Sequence, residues 1–117
     1  MLRALRGATT VREDNPDAIT DATMELLEAL AGANDLRPER IISAIFTATP
    51  DLRAEFPAVA ARRLGWFDVA LLDAVEIDRP GALPFCIRVL LHVEMPSDRK
   101  PVHIYLYGAV VLRPDLA

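Results

Sequence analysis

Residues 85–95, Phe-Cys-Ile-Arg-Val-Leu-Leu-His-Val-Glu-Met, constrain the fold more than any other stretch. Their length and their enrichment in apolar and β-branched residues predict a β-strand. Strand side chains alternate between faces. Ile87, Val89, Leu91, Val93 and Met95 then share one wholly apolar face, which needs a core to cover it. Cys86, Arg88, Leu90, His92 and Glu94 share the other. A guanidinium in so apolar a strand is expensive to bury without a partner. Two readings of Arg88 follow. Either it sits on an edge strand with its stem on the sheet and its head in water, or it is aimed at an anionic ligand.

The rest of the chain supplies a sheet and helices for that strand. Residues 1–117 are expected to form a single domain. Leu2–Ala8, continuing toward Val11, reads as a strand, and Gly7 in it implies a close approach by another backbone. Asn15 as N-cap and Pro16 at the first position open a helix. Its core face is expected to be Ile19, Ala22, Leu26, Ala29 and Leu30, with Gly32 as the C-terminal cap. Pro38 starts a short turn, and Ile41–Ala48 is the second strand. Pro57 opens a short helix through Leu64, closed by Gly65, with Arg62 on the face of Ala58. Asp68–Val75 is the third strand, with Val69, Leu71 and Asp73 opposite Ala70, Leu72 and Ala74. After the Arg88 strand, Pro96-Ser97-Asp98 marks a turn, and Val102–Tyr107 is expected to return as its hairpin partner. The order β-α-β-short α-β-β-β predicts an α+β domain: a mixed sheet with one long and one or two short helices on one face.

Charge and composition narrow the function. A net charge of −4 disfavours a nucleic-acid partner. No apolar run reaches the roughly 18–20 residues of a membrane span, and Arg3 and Arg6 break any signal-peptide pattern. One cysteine, Cys86, fits a reducing cytoplasm. A hydrophobic content of 52% suggests that another subunit covers some apolar surface. The chain holds 13 Lys and Arg together, of which only Lys100 is lysine. Biased base composition explains such a ratio. So does planar, bidentate recognition of carboxylates.

Most site chemistries find no support. Cys86 has no evident base beside it. His92 and His103 approach each other across the expected hairpin, but two His make a poor metal site. There is no Gly-rich phosphate loop. Arg6, Arg62, Arg88 and Arg113, with Tyr105 and Glu76, remain. If they converge, they hold a small dianion and stabilise charge without covalent chemistry.

Several segments are more specific than these patterns. Leu5-Arg6-Gly7-Ala8-Thr9-Thr10-Val11 opens the chain. Thr47-Ala48-Thr49-Pro50-Asp51-Leu52, followed by Phe56-Pro57-Ala58, lies at its centre. Cys86-Ile87-Arg88-Val89 and His103-Ile104-Tyr105-Leu106 come later, and Val111-Leu112-Arg113-Pro114-Asp115-Leu116 closes it. Together, in this order and spacing, they resemble the AroH-class chorismate mutases. The resemblance implies a trimeric pseudo-barrel with active sites at subunit interfaces, and neither cofactor nor metal. It implies conversion of chorismate to prephenate, in the synthesis of phenylalanine and tyrosine. The catalytic residues it implies are Arg88, beside the substrate's ether oxygen, with Glu76 and Arg6. The implied substrate contacts are Arg6, Phe56, Ala58, Arg62, Leu71, Leu72, Asp73, Glu76, Arg88, Tyr105, Leu112 and Arg113. Two positions depart from the family pattern: Val59 replaces a charged residue, and Asp73 replaces a Cys or small polar residue. The alternative is a non-catalytic module that binds aromatic-pathway carboxylates in the same pocket. A third class, a small trimeric hydrolase of imines or enamines, rests on architecture alone.

Overall fold

The computed structural model describes residues 1–116. The elements run β1 (Leu2–Thr10), α1 (Pro16–Ala33), β2 (Ile41–Ala48), α2 (Ala58–Arg63), β3 (Ala70–Val75), β4 (Cys86–Glu94) and β5 (Ile104–Tyr105). Short 3₁₀ turns occupy Pro38–Arg40, Tyr107–Leu112 and Pro114–Leu116. The strands form one mixed sheet in the order β3-β2-β4-β1-β5. The Arg88 strand is therefore central, antiparallel to β1 on one side and to β2 on the other. The edge-strand reading of Arg88 is excluded, because both edges of its strand are paired.

The alternation of β4 is realised. Ile87, Val89, Leu91, Val93 and Met95 are all buried. Most of that face packs with Leu5, Ala44 and Phe46 of the sheet beneath Leu26, Leu27 and Leu30 of α1 and the alanines of α2. Both helices thus cover one face, as the apolar pattern requires. The opposite face carries Arg6, Ile45, Thr47, Arg88 and Leu90. The C-terminal 3₁₀ turn closes only one end of it, where Ala109 and Leu112 meet Ala8 and Cys86.

Gly7 makes this packing possible. A Cβ there would lie 2.8 Å from Leu30 Cδ1, 3.1 Å from Leu26 Cδ1 and 3.3 Å from the Ile104 carbonyl oxygen. The missing side chain lets α1 settle on β1 while β5 runs alongside. The close approach is therefore to α1 leucines as well as to backbone.

Three expectations are corrected. Val102–Tyr107 is not the hairpin partner of β4. Only Ile104–Tyr105 is strand, and it pairs parallel to β1 through Gly7–Ile104 and Ala8–Tyr105. Adjacency in sequence lost to longer-range pairing, which had already filled both edges of β4. Consequently His92 and His103 do not meet: His92 Nδ1 bonds the Ser43 hydroxyl, and His103 Nδ1 accepts from the Arg6 N–H, each at 3.0 Å.

The second correction concerns the end of α1, which runs past Gly32 and is capped by Asn34. Asn34 is buried; its amide donates to the carbonyls of Leu30 and Val102 and accepts the Val102 N–H, at 2.8–2.9 Å. Satisfying three backbone groups outweighs the conformational ease of glycine. At the other end Asn15 Oδ1 accepts the Ala18 N–H at 2.8 Å, as expected of an N-cap. Third, Ala22 and Ala29 lie at the margin of the α1 core face, and Thr20, Thr23 and Leu27 are fully buried instead. Thr23 donates its hydroxyl to the Ile19 carbonyl at 2.7 Å, so its burial leaves no polar group unpaired. On α2, Ala58 is buried and Arg62, one turn further along, is exposed; both lie near Asp73 of β3.

Candidate active site

The open face of the sheet sets the site. In register, Arg88 on β4 is flanked by Ala8 on β1 and Thr47 on β2. Glu76 follows β3 directly, and its N–H continues the pairing with β2 by donating to the Ala48 carbonyl at 2.9 Å. That last rung turns the Glu76 side chain back over the face. Its Oε1 lies 3.1 Å from Arg88 Nε and accepts the Thr47 hydroxyl at 2.9 Å. The Glu76 carboxylate, itself held by the Thr47 hydroxyl, therefore fixes the central guanidinium beside the small Ala8.

Arg6, Glu76, Arg88, Tyr105, Leu112 and Arg113 line one cavity of about 390 Å³, with Ile45, Thr47 and Leu90 among its other walls. Sequence reasoning had named all six of the former. Three guanidinium groups face one carboxylate there. Arg113 is gripped by Asp115 through Nε at 3.1 Å and a terminal nitrogen at 3.0 Å. That hydrogen-bonded pair pushes the Arg113 pKa up and holds the Asp115 carboxyl below its ordinary value. His103 supports the other wall. Burial, with Arg6 and Arg113 nearby, pushes its pKa down. The neutral ring suits its role as acceptor of the Arg6 N–H. Burial also pushes the Cys86 thiol up, despite Arg88, so no thiolate nucleophile is prepared. Among the described residues, no group of three His, Cys, Asp or Glu is placed to hold a metal ion.

The remaining sequence-named residues lie elsewhere on the chain. Phe56 and Asp73 line a second cavity of about 430 Å³, with Ala74 and Val75. Ala58 is buried, Leu71 is half-buried against the core, and Arg62 is exposed on α2. Leu72 is 59% exposed, beside Ile45 in register. Asp73 faces α2: its Oδ1 accepts the Ala58 N–H at 3.1 Å. Burial pushes its pKa up, opposed by that hydrogen bond and by Arg62. Pro57 gives α2 no side-chain cap, so Asp73 supplies one from β3. Sequence reasoning missed Thr47 and His103 as site residues. Alternation along β2 puts Thr47 on the open face, but only the register sets it beside Arg88.

This arrangement can bind a dicarboxylate and stabilise charge at Arg88, without a nucleophile. A family model described as chorismate mutase type I matches residues 2–116. The chain belongs to that family. It is 50% identical over 119 residues to the chorismate mutase AroH of Thermus thermophilus, covering 99% of this chain and 97% of the relative. It is 44% identical over 120 residues to the chorismate mutase AroH of Bacillus subtilis (strain 168), covering 100% and 94%. The solved chorismate mutase from Clostridium thermocellum Cth-682 superposes with a TM-score of 0.90 at 50% identity, covering 93% of this chain and 98% of that one. The protein is a chorismate mutase, an isomerase. No described helix is long and apolar enough to cross a membrane.

Proposed function

We propose that the Arg88 cavity converts chorismate to prephenate by conformational restriction and electrostatic stabilisation. The observation that carries this reading is the convergence of Arg6, Arg88, Arg113 and Tyr105 on one cavity with Glu76. The reaction is a unimolecular Claisen rearrangement, so it needs no acid, base or nucleophile. Arg6, Tyr105 and Arg113 hold the two carboxylates and fold the flexible ether into its chair-like reactive shape. Negative charge grows on the ether oxygen as the C–O bond opens. Arg88, preset by Glu76, meets that charge more strongly in the transition state than in the ground state. Glu76 also faces the ring hydroxyl, and Leu112 packs on the ring.

The working form is a homotrimer with active sites at subunit interfaces. Support comes from how the candidate contacts divide. Six share the Arg88 cavity, whereas Phe56, Ala58, Arg62, Leu71, Leu72 and Asp73 lie toward the α2 and β3 edge. A neighbouring protomer's edge laid against the open face brings the second set to the first. Ile42, Leu72, Val75 and Ile77, all exposed, are the apolar surface that such a neighbour covers. One buried free thiol fits a cytoplasmic location.

Mixing the protein with chorismate, EDTA present, is expected to deplete the chorismate absorbance and yield prephenate. Unchanged chorismate would refute the reading. A monomer by light scattering, active or not, would refute the interface site.

A further inference from the structure

The cleft does not end at the Arg88–Glu76 pair. A chamber of about 470 Å³ adjoins it on the far side, sharing Glu76, Arg88 and Leu112 with the main cavity. Leu83 and Val111 give it apolar walls, and Arg79 stands in its lining. The sequence Arg79-Pro80-Gly81-Ala82 explains how Arg79 is held. Ala82 donates its N–H to the Arg79 carbonyl at 3.0 Å, and Gly81 has φ +81°. Pro at the second position and a positive-φ Gly at the third are the requirements of a type II turn. A second bond, from the Arg79 N–H to the Ile77 carbonyl at 2.9 Å, ties the turn to the segment after β3. The backbone of Arg79 is thus fixed at the chamber's wall.

Charge distinguishes this arginine from Arg88 and Arg113. Arg88 is paired with Glu76, and Arg113 with Asp115. Arg79 has no ion-pair partner among the described residues. The chain as a whole carries −4, so its overall field repels a dianion. Capture then depends on local positive charge at the mouth of the cleft, acting over about one Debye length, roughly 8 Å at physiological salt.

We infer that this chamber is the approach route to the Arg88 site, and that Arg79 is its outer carboxylate contact, drawing the dicarboxylate inward by charge. The inference rests on the Arg88 cavity being the substrate site. It assigns a function to the Arg-Pro-Gly turn, which the chemistry at Arg88 does not use.

The test measures kcat and kcat/KM for chorismate across ionic strength in the wild-type protein and in Arg79→Gln, Arg79→Lys and Arg79→Glu. At low salt, Arg79→Gln is expected to lower kcat/KM by up to about tenfold, through KM, with kcat unchanged. Its dependence on ionic strength should be shallower than that of the wild type. Arg79→Lys should stay close to the wild type, because steering needs charge rather than a planar fork, and Arg79→Glu should fall below Arg79→Gln. Wild-type kcat/KM and salt dependence in Arg79→Gln would overturn the inference and leave the Arg88 assignment standing. A fall in kcat matching that in kcat/KM would also overturn it, since Arg79 would then act in the chemical step. Absence of wild-type turnover would overturn both.

Discussion

Arg88 Nε and Glu76 Oε1 lie 3.1 Å apart, and the same oxygen accepts the Thr47 hydroxyl at 2.9 Å. Pairing through Nε sets the plane of the guanidinium rather than neutralising it in a closed fork. The Arg88 side chain is 50% exposed, so the pair stabilises the fold by only about 0–1 kcal/mol. Its value lies in orientation, and that separates what a mutation does to activity from what it does to folding.

Arg88→Ala should therefore leave the thermal midpoint nearly unchanged while kcat falls by about 10²–10³ or more. Arg88→Lys should also be poor, because a point charge on a flexible stem does not reproduce the planar donor. Near-normal kcat in a folded Arg88→Ala protein would remove Arg88 from the chemistry.

Thr47→Val removes one donor to Glu76 at nearly constant volume. The loss of one partly exposed hydrogen bond is expected to cost about 0.5–1.5 kcal/mol of stability. If Thr47 also sets Glu76 for Arg88, kcat falls several-fold with little change in KM. Steady-state kinetics beside a denaturant titration separate the two effects.

Asp73→Asn keeps an oxygen acceptor for the Ala58 N–H, whereas Asp73→Ala leaves that N–H without its partner. The Ala variant should lose about 1 kcal/mol of stability, and the Asn variant much less. Equal stability in the two would show that the carboxylate does not cap α2.

His103 gives a pH dependence whose sign is fixed. Its folded pKa is depressed below the ordinary 6.5, first by burial and then by Arg6 and Arg113. The unfolded chain therefore takes up the proton first as pH falls. The stability that the neutral ring contributes is present above pH 6.5 and is lost as pH drops through the lower folded value. Denaturant midpoints of the wild type should fall over that window relative to His103→Asn. Parallel curves would sink the assignment.

Gly7→Val places a branched side chain where the first added carbon alone would sit 2.8 Å from Leu30. Overpacking of this kind costs about 1–3 kcal/mol. Calorimetry should show a lower midpoint, and in Gly7→Val/Leu30→Ala the two penalties should be less than additive, because the truncation removes the clash.

Much of this was legible in the chain. Strand alternation around Arg88, the Asn15-Pro16 start of α1, the limits of β2 and the loop after Glu76 all follow from local chemistry: side-chain direction, capping and fixed φ. The six residues that line the Arg88 cavity were legible too, because they lie in the segments that carry the family resemblance. Local signals misled where competition was global. Asn34 displaced Gly32 as a cap only because Val102 arrives beside it, and β5 left β4 for β1 because β4 had no free edge.

The sequence by itself determined the element order and the apolar face of β4, because each depends on neighbours within a few residues. Only the tertiary structure decided that β4 is central, that Thr47 and Ala8 flank Arg88, and that Phe56 and Asp73 stand apart from it. Those facts depend on which strand edges pair and in what register, a choice made by long-range packing that no local window contains.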